Sequence, residues 1–160
     1  MSDLLNRISE LEQQLAVLKT EIKKENKRWR SKDGDIYWFV DGDGKPNWSY
    51  EYNRDSDSFR YDTHNYFQTE EEAQKYANVL ETERQLKKFA NEHNNKIDWN
   101  DNDQEKWNLY YNYSLYQINI AIRCATRDVR VIYFSSEKVA RQAINEIGEE
   151  KITEYLTYEW

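Results

Sequence analysis

Apolar residues near the amino end fall into a narrow stripe. Leu4, Ile8, Leu11, Leu15, Leu18 and Ile22 recur at spacings of 4, 3, 4, 3 and 4. That alternation keeps one seam of an α-helix apolar, with Ile8, Leu15 and Ile22 at heptad position a and Leu4, Leu11 and Leu18 at d. Isoleucine at a with leucine at d favours two parallel strands, and Arg7 at g would meet Glu12 at e of the partner helix. Ser2 suits the N-cap, because its hydroxyl accepts an orphan backbone N–H. The competing arrangement lays the same stripe on the chain's own globular part. A helix packed that way carries a wider apolar face. Here only Leu5 broadens the seam, while Glu12, Gln14, Lys19 and Glu21 flank it. The pattern predicts a coiled-coil oligomerisation helix over residues 1–26 that pairs the chain with itself, as a homodimer. The run Lys23-Lys24-Glu25-Asn26-Lys27-Arg28 then drops the stripe and reads as a solvated helix end.

Beyond Trp29 the period shortens to two. Ile36 to Val40 and Asn47 to Tyr52 alternate around Asp41-Gly42-Asp43-Gly44-Lys45-Pro46, a string of turn residues that predicts a hairpin. Leu109 to Tyr113, Gln117 to Cys124 and Val129 to Phe134 predict three antiparallel strands. Ile118, Ile120, Ile122 and Cys124 share one parity and should face the core, which makes Cys124 a buried small hydrophobe rather than a reactive thiol. Helical spacing predicts a helix from Glu70 to about Asn94, with Ala73, Tyr76, Ala77, Leu80, Leu86 and Phe89 inward. A second helix should run from Glu137 to Glu146 and stop near Gly148, followed by a short one from Glu149 to Leu156. Asn94 to Glu105, rich in Asn and Asp, reads as an exposed loop.

These elements fall into two related halves. Tyr66-Phe67-Gln68-Thr69-Glu70-Glu71-Glu72-Ala73 and Tyr133-Phe134-Ser135-Ser136-Glu137-Lys138-Val139-Ala140 each lead into a helix, with Thr69 and Ser136 as matching N-caps. Glu72 completes a capping box with Thr69, and Val139 has no group to do so with Ser136. The expected fold class is α+β. A coiled-coil helix over 1–26 precedes antiparallel strands plus helix over 27–96, and the same again over 97–160. Residues 27–160 are expected to form one compact unit built by an internal duplication.

Composition narrows the chemistry. The mean hydropathy is strongly negative, which alone would suggest disorder. An aromatic content of 15 % argues for a folded domain with an aromatic core. A net charge of −7 disfavours direct nucleic-acid binding. One cysteine excludes an internal disulfide and a cysteine zinc cluster. No apolar run approaches a membrane span and the start lacks a signal-peptide pattern, so the expected setting is the cytoplasm, away from membranes.

No site for a catalytic, metal or cofactor role emerges. Asp41-Gly42-Asp43-Gly44 lacks the later acidic ligands of a calcium loop, and His64 and His93 stand apart from any metal-spaced partner. Asp98, Asp101, Asp103 and Glu105 read as solvated loop acids. No nucleophile elbow, phosphate loop or dinucleotide fingerprint is present. The chain is expected not to be an enzyme and to need no cofactor. What remains is aromatic density on the strands. Trp38, Trp48, Tyr50, Tyr52, Trp107, Tyr111 and Tyr113, with Arg123, Arg127 and Arg130, are the candidate contact residues for a ligand or partner. The other assignment makes the same aromatics core.

The order of a heptad helix, Lys27 to Arg30, Asp33-Gly34-Asp35-Ile36-Tyr37-Trp38, Asn65 to Ala73, Phe134-Ser135-Ser136 and Ala143 to Glu150 resembles small accessory proteins encoded by phages and prophages of Gram-positive bacteria. That resemblance implies a phage context, action in the host cytoplasm and an inhibitory partner role, and it assigns no functional residue. The function expected is binding and inhibition of a host macromolecule, an immune effector or nuclease. Two alternatives stand beside it: sequestering a nucleotide at an oligomer interface, and scaffolding phage assembly.

Overall fold

Asp41 makes the first turn. Its carboxylate accepts the backbone N–H groups of Asp43 and Lys45, both at 3.0 Å, while its own N–H and C=O close the loop to Lys45 and Gly44. Gly44 sits at φ +80°, a left-handed conformation that glycine adopts without strain. The Lys45 N–H foremost holds the Asp41 carboxyl below its ordinary value. The residues that resemble a calcium loop are spent on a hairpin.

The computed structural model describes residues 7, 8, 10–15 and 28–160. The fold is mixed α+β with two small antiparallel sheets. Strands β1 (Ile36–Val40) and β2 (Pro46–Tyr50) form the first, in a register that sets Trp38 opposite Trp48. Helices α1 (Asp55–Asp62) and α2 (Glu70–His93) follow. Strands β3 (Lys106–Asn112), β4 (Gln117–Arg123) and β5 (Tyr133–Phe134) form the second sheet in the order β4-β3-β5. The chain continues as α3 (Glu137–Ile147) and α4 (Glu149–Thr157), separated by Gly148 at φ +104°.

A Tyr-Phe segment extends both sheets, as an isolated bridge in the first and as the two-residue strand β5 in the second. Phe67 bridges Trp38 of β1, and Phe134 pairs with Trp107 of β3, both antiparallel. A capped helix follows each. Thr69 accepts the Glu72 N–H while the Glu72 carboxylate reaches back to the Thr69 N–H, and Ser136 accepts the Val139 N–H without a return bond. Behind the first sheet Val40 packs on Ala73 and Ala77 of α2. Behind the second, Leu109 and Phe134 pack on Leu86, Phe89 and Ala90 of α2, on Ala140 and Ala143 of α3 and on Ile152 of α4. The helix α2 thus serves both cores, one with each end.

Several expectations from the sequence need correction. The predicted strand from Val129 keeps only Tyr133–Phe134. Arg130 takes φ +65° and breaks the extended run, and Val129 is almost wholly exposed. Helix α1 has no counterpart in the sequence-based reading. Along α2 the buried set also includes Val79, Thr82 and Ala90, while Tyr76 and Leu80 are half-buried, because the buried face turns as the helix passes from one sheet to the other. Of the β4 isoleucines, Ile118 and Ile120 pack on the core but Ile122 is exposed, and Cys124 lies past the strand end, half-buried. The loop from Asn94 to Glu105 is exposed over much of its length, but Trp99 turns inward against Tyr133, with ring centroids 4.9 Å apart.

Leu86 is 1 % exposed at the centre of the larger core. Leu86→Ala should cost about 2–5 kcal/mol and Thr69→Ala about 1 kcal/mol in urea unfolding. A loss below about 1 kcal/mol for Leu86→Ala would mean that α2 does not hold the second half.

Candidate functional site

Two carboxylates lie buried in the first half, on residues that sequence reasoning passed over. Glu51 is 1 % exposed just past β2. It receives Arg30 through Nε (3.0 Å) and Nη2 (3.1 Å), the Tyr66 hydroxyl (2.7 Å) and the Asn53 N–H (2.7 Å). Burial alone would push its carboxyl up, but those donors, led by Arg30, together hold it below the ordinary value. Asp57, equally buried in the first turn of α1, receives the Tyr37 hydroxyl (2.8 Å) and the N–H groups of Tyr52 and Arg54, both at 3.1 Å. Its carboxyl is lowered on the same balance, burial against Tyr37 and the two backbone donors.

The two donor phenols stack face to face, with ring centroids 3.9 Å apart and planes within 11°. Burial foremost raises both above the ordinary phenol range, with Glu51 adding to the effect on Tyr66. Arg60 donates to the Tyr37 hydroxyl at 2.6 Å and lies 3.6 Å over the Phe39 ring. Arg28 donates to the carbonyls of Tyr61 and Tyr66, and Arg28 and Arg30 both lie about 5 Å from the Tyr61 ring centroid. Each acid is ringed by fixed donors beneath stacked aromatics. The arrangement clamps residues 28–31 onto the hairpin and leaves neither carboxylate open to a substrate.

The second half holds a different buried charge. Lys106 is fully buried and donates to the carbonyls of Asp101 and Cys124, with the Trp99 ring 5.5 Å from its ammonium. Carbonyl dipoles and a π face serve where a carboxylate would be usual. On the same face of β3, Asn108 Oδ1 is buried with no hydrogen-bond partner among the described residues, so its desolvation goes uncompensated.

The surface aromatics divide sharply. Trp48, Tyr50 and Tyr52 are 50, 45 and 46 % exposed and pack on one another in sequence, centroids 5.4 and 6.0 Å apart. Arg54 lies 4.8 Å over Tyr52 and extends the row. Ile36, across the ladder from Tyr50, is also exposed. Trp38 is instead half-buried against Val40, Ala73 and Ala77, and Trp107 is half-buried against the larger core. Tyr111 meets Tyr113 edge-on at 5.0 Å near the β3–β4 turn, where Tyr113 is exposed. The three candidate arginines occupy separate settings. Arg123 lies 3.9 Å from Asp128, Arg127 lies 5.2 Å over Trp99, and Arg130 lines a groove. Among the described residues, no cation–π contact joins any of the three to the candidate strand aromatics.

That groove, about 1180 Å³, runs between α2 and the C-terminal residues. Its charges are mixed, Lys75 and Arg130 against Glu72 and Glu159, and Lys87 is paired to Glu83 at 2.6 Å. Tyr76, Tyr158 and Trp160 on its wall pack against one another, which fastens the carboxyl end to α2. Among the described residues, no group of three or more His, Cys, Asp or Glu is placed to hold a metal, and no helix is long and apolar enough to cross a membrane.

Of the heptad residues, Ile8, Leu11 and Leu15 lie in a described helical stretch and are 52, 58 and 52 % exposed. Leu4, Leu18 and Ile22 lie outside the described residues. In comparisons with known proteins, the chain matches no family model, no curated protein and no solved structure.

Acid should undo the carboxylate clamp. Both carboxyls are lowered in the folded state, so their stabilisation is complete above the unfolded value of about 4 and is lost as pH falls through the folded values. Thermal melts of the wild type should fall steeply below about pH 4, and Asp57→Asn should flatten that fall. Arg30→Met, which strands Glu51, should cost about 3 kcal/mol at neutral pH. Parallel pH profiles for wild type and Asp57→Asn would refute this account.

Proposed function

We propose that the protein is a non-catalytic, phage-type accessory protein that docks on a host protein, an immune effector or nuclease, and inhibits it. The observation that carries the reading is the aromatic row Trp48-Tyr50-Tyr52, left half-exposed and capped by Arg54 on a rigid hairpin. Trp, Tyr and Arg are the residues that dominate binding energy at protein interfaces, because they offer large rigid area with a polar tip. The Asp41 turn and the Glu51 clamp hold β2 from either end, so little ordering remains to be done on binding. The net charge of −7 favours a partner with a basic surface, such as the groove in which a nuclease binds nucleic acid, and speeds the encounter. The resemblance of the sequence order to phage accessory proteins supplies the host setting, with action in the host cytoplasm.

The working form is a homodimer joined through the heptad seam, a reading supported by the exposure of Ile8, Leu11 and Leu15. The two halves are copies of one unit. Supporting this are the matching Trp38–Phe67 and Trp107–Phe134 pairings and the hydroxyl N-caps two residues after each phenylalanine.

Two measurements test the reading. Affinity capture from host lysate should recover one protein at stoichiometric level, whose activity falls when the captured chain is added back. Trp48→Ala with Tyr50→Ala should abolish the capture, because interface anchors of this kind each cost about 2 kcal/mol or more, whereas Tyr113→Ala should leave it intact. Equal recovery by the double variant would remove the row from the interface, and no stoichiometric partner would remove the function. Leu11→Lys with Leu15→Lys should lower the mass seen by light scattering at micromolar concentration, and an unchanged mass would exclude the heptad dimer.

A further inference from the structure

Among the described residues, two strands longer than a dipeptide keep one side open, β2 in the first sheet and β4 in the second, while the outer side of β1 meets Phe67 and the Asn65 amide. An open edge presents unpaired N–H and C=O groups and accepts another strand unless proline, lysine, a bulge or shortness blunts it. Strand β2 is blunted. It is five residues long, begins at Pro46 and follows Lys45. Strand β4 carries none of these devices. Its seven residues run in unbroken register with β3 and include neither proline nor lysine. Among the described residues, no backbone–backbone bond outside the β3 ladder reaches β4, and all its residues are at least partly exposed.

Charge singles out the same surface. Residues 107–122 contain no Asp, Glu, Lys or Arg, in a chain that is one-third charged and carries −7 overall. Two such chains repel, and the β3–β4 hairpin adds nothing to that repulsion. We propose that β4 pairs with β4 of a second copy, antiparallel about a two-fold axis at Ile120, fusing two three-stranded sheets into one of six strands. The segment Gln117 to Arg123 is self-complementary in that register. Ile118 lies opposite the partner's Ile122, Ile120 opposite the partner's Ile120, Asn119 opposite the partner's Ala121, and Gln117 opposite the partner's Arg123. A register offset by one residue would set the isoleucines on the polar side and is excluded by the period of two. The pairing also covers Ile122, the one isoleucine of β4 that a single copy leaves exposed. This interface is separate from the heptad seam and from the aromatic row.

The sign of a charge at position 117 tests it. Gln117 is exposed, so substitutions there leave the fold intact, as circular dichroism of each variant would verify. The background is the full-length chain with Leu11→Lys and Leu15→Lys, which silences the heptad seam. Sedimentation equilibrium at low salt should show a dimer at sub-millimolar concentration, where the same background at micromolar concentration is a monomer. Gln117→Glu, facing Arg123 twice across the axis, should tighten it, and Gln117→Lys should weaken it, each by several-fold to about 10-fold. High salt should shrink both effects. A monomer on the silenced background at sub-millimolar concentration would overturn the proposal, as would dimerisation indifferent to the sign at position 117.

Discussion

A glutamate taken out of water must be met by donors from elsewhere in the chain, and Glu51 is met from three directions. Arg30 comes from the segment before the first hairpin, Tyr66 from the turn before α2, and Asn53 from the entry to α1. Losing any one leaves a buried charge under-satisfied, which is far costlier than the pair's net worth. That asymmetry makes Glu51 a specifier of arrangement more than a source of stability. Asp57 repeats the logic one turn later through Tyr37 and the backbone of Tyr52 and Arg54. Because Tyr37 and Tyr66 stack, the two acids fix one another's donors. The first sheet has only two strands and a bridge, too few to stand alone, and this polar–aromatic knot supplies what strand number does not.

The knot also explains what could and could not be read along the chain. Elements written in a single period were legible. Both capped helices, the Gly148 break and the hairpin at Asp41 follow from N-cap hydroxyls, helical spacing and turn residues. Helix α1 was not, because its N-cap is Arg54 and Asp57 faces inward instead of outward. The available signal was the pair of acids in its first turn, Asp55 and Asp57, with Asp57 at the capping-box position. On β2 the usual sense of alternation is reversed at its end. The aromatic parity meets water while Glu51 on the other parity goes inside. Lys106 hides for the same reason, since its partners are carbonyls that no side-chain pattern reports. Of the candidate contact residues, Trp48, Tyr50 and Tyr52 emerge as a row and Trp38 and Trp107 as flanks of the core. That division depends on what packs behind each strand, which parity does not say.

The surface is organised by contrast. Among the described residues both signs of charge are widespread, whereas the hairpin of β3 and β4 carries none from Trp107 to Ile122 and the aromatic row on β2 meets only Arg54 at its end. Desolvating charged side chains is expensive, so areas free of them are where another macromolecule docks at least cost. The two areas differ in character. The row offers large rings with a guanidinium at one end, suited to a foreign surface, whereas the hairpin offers backbone and a symmetric isoleucine pattern, suited to itself.

Helix α2 binds both cores with opposite ends, Ala73 and Ala77 at one and Leu86, Phe89 and Ala90 at the other. At 1.5 Å per residue its 24 residues make a rod of about 36 Å. During synthesis the near end finds its sheet at once, because β1 has already emerged. The far end has no cover until Leu109, Phe134, Ala140 and Ile152 follow. For the time the ribosome takes to add those residues, a bare greasy turn rides on a half-built chain, the kind of surface that chaperones cover.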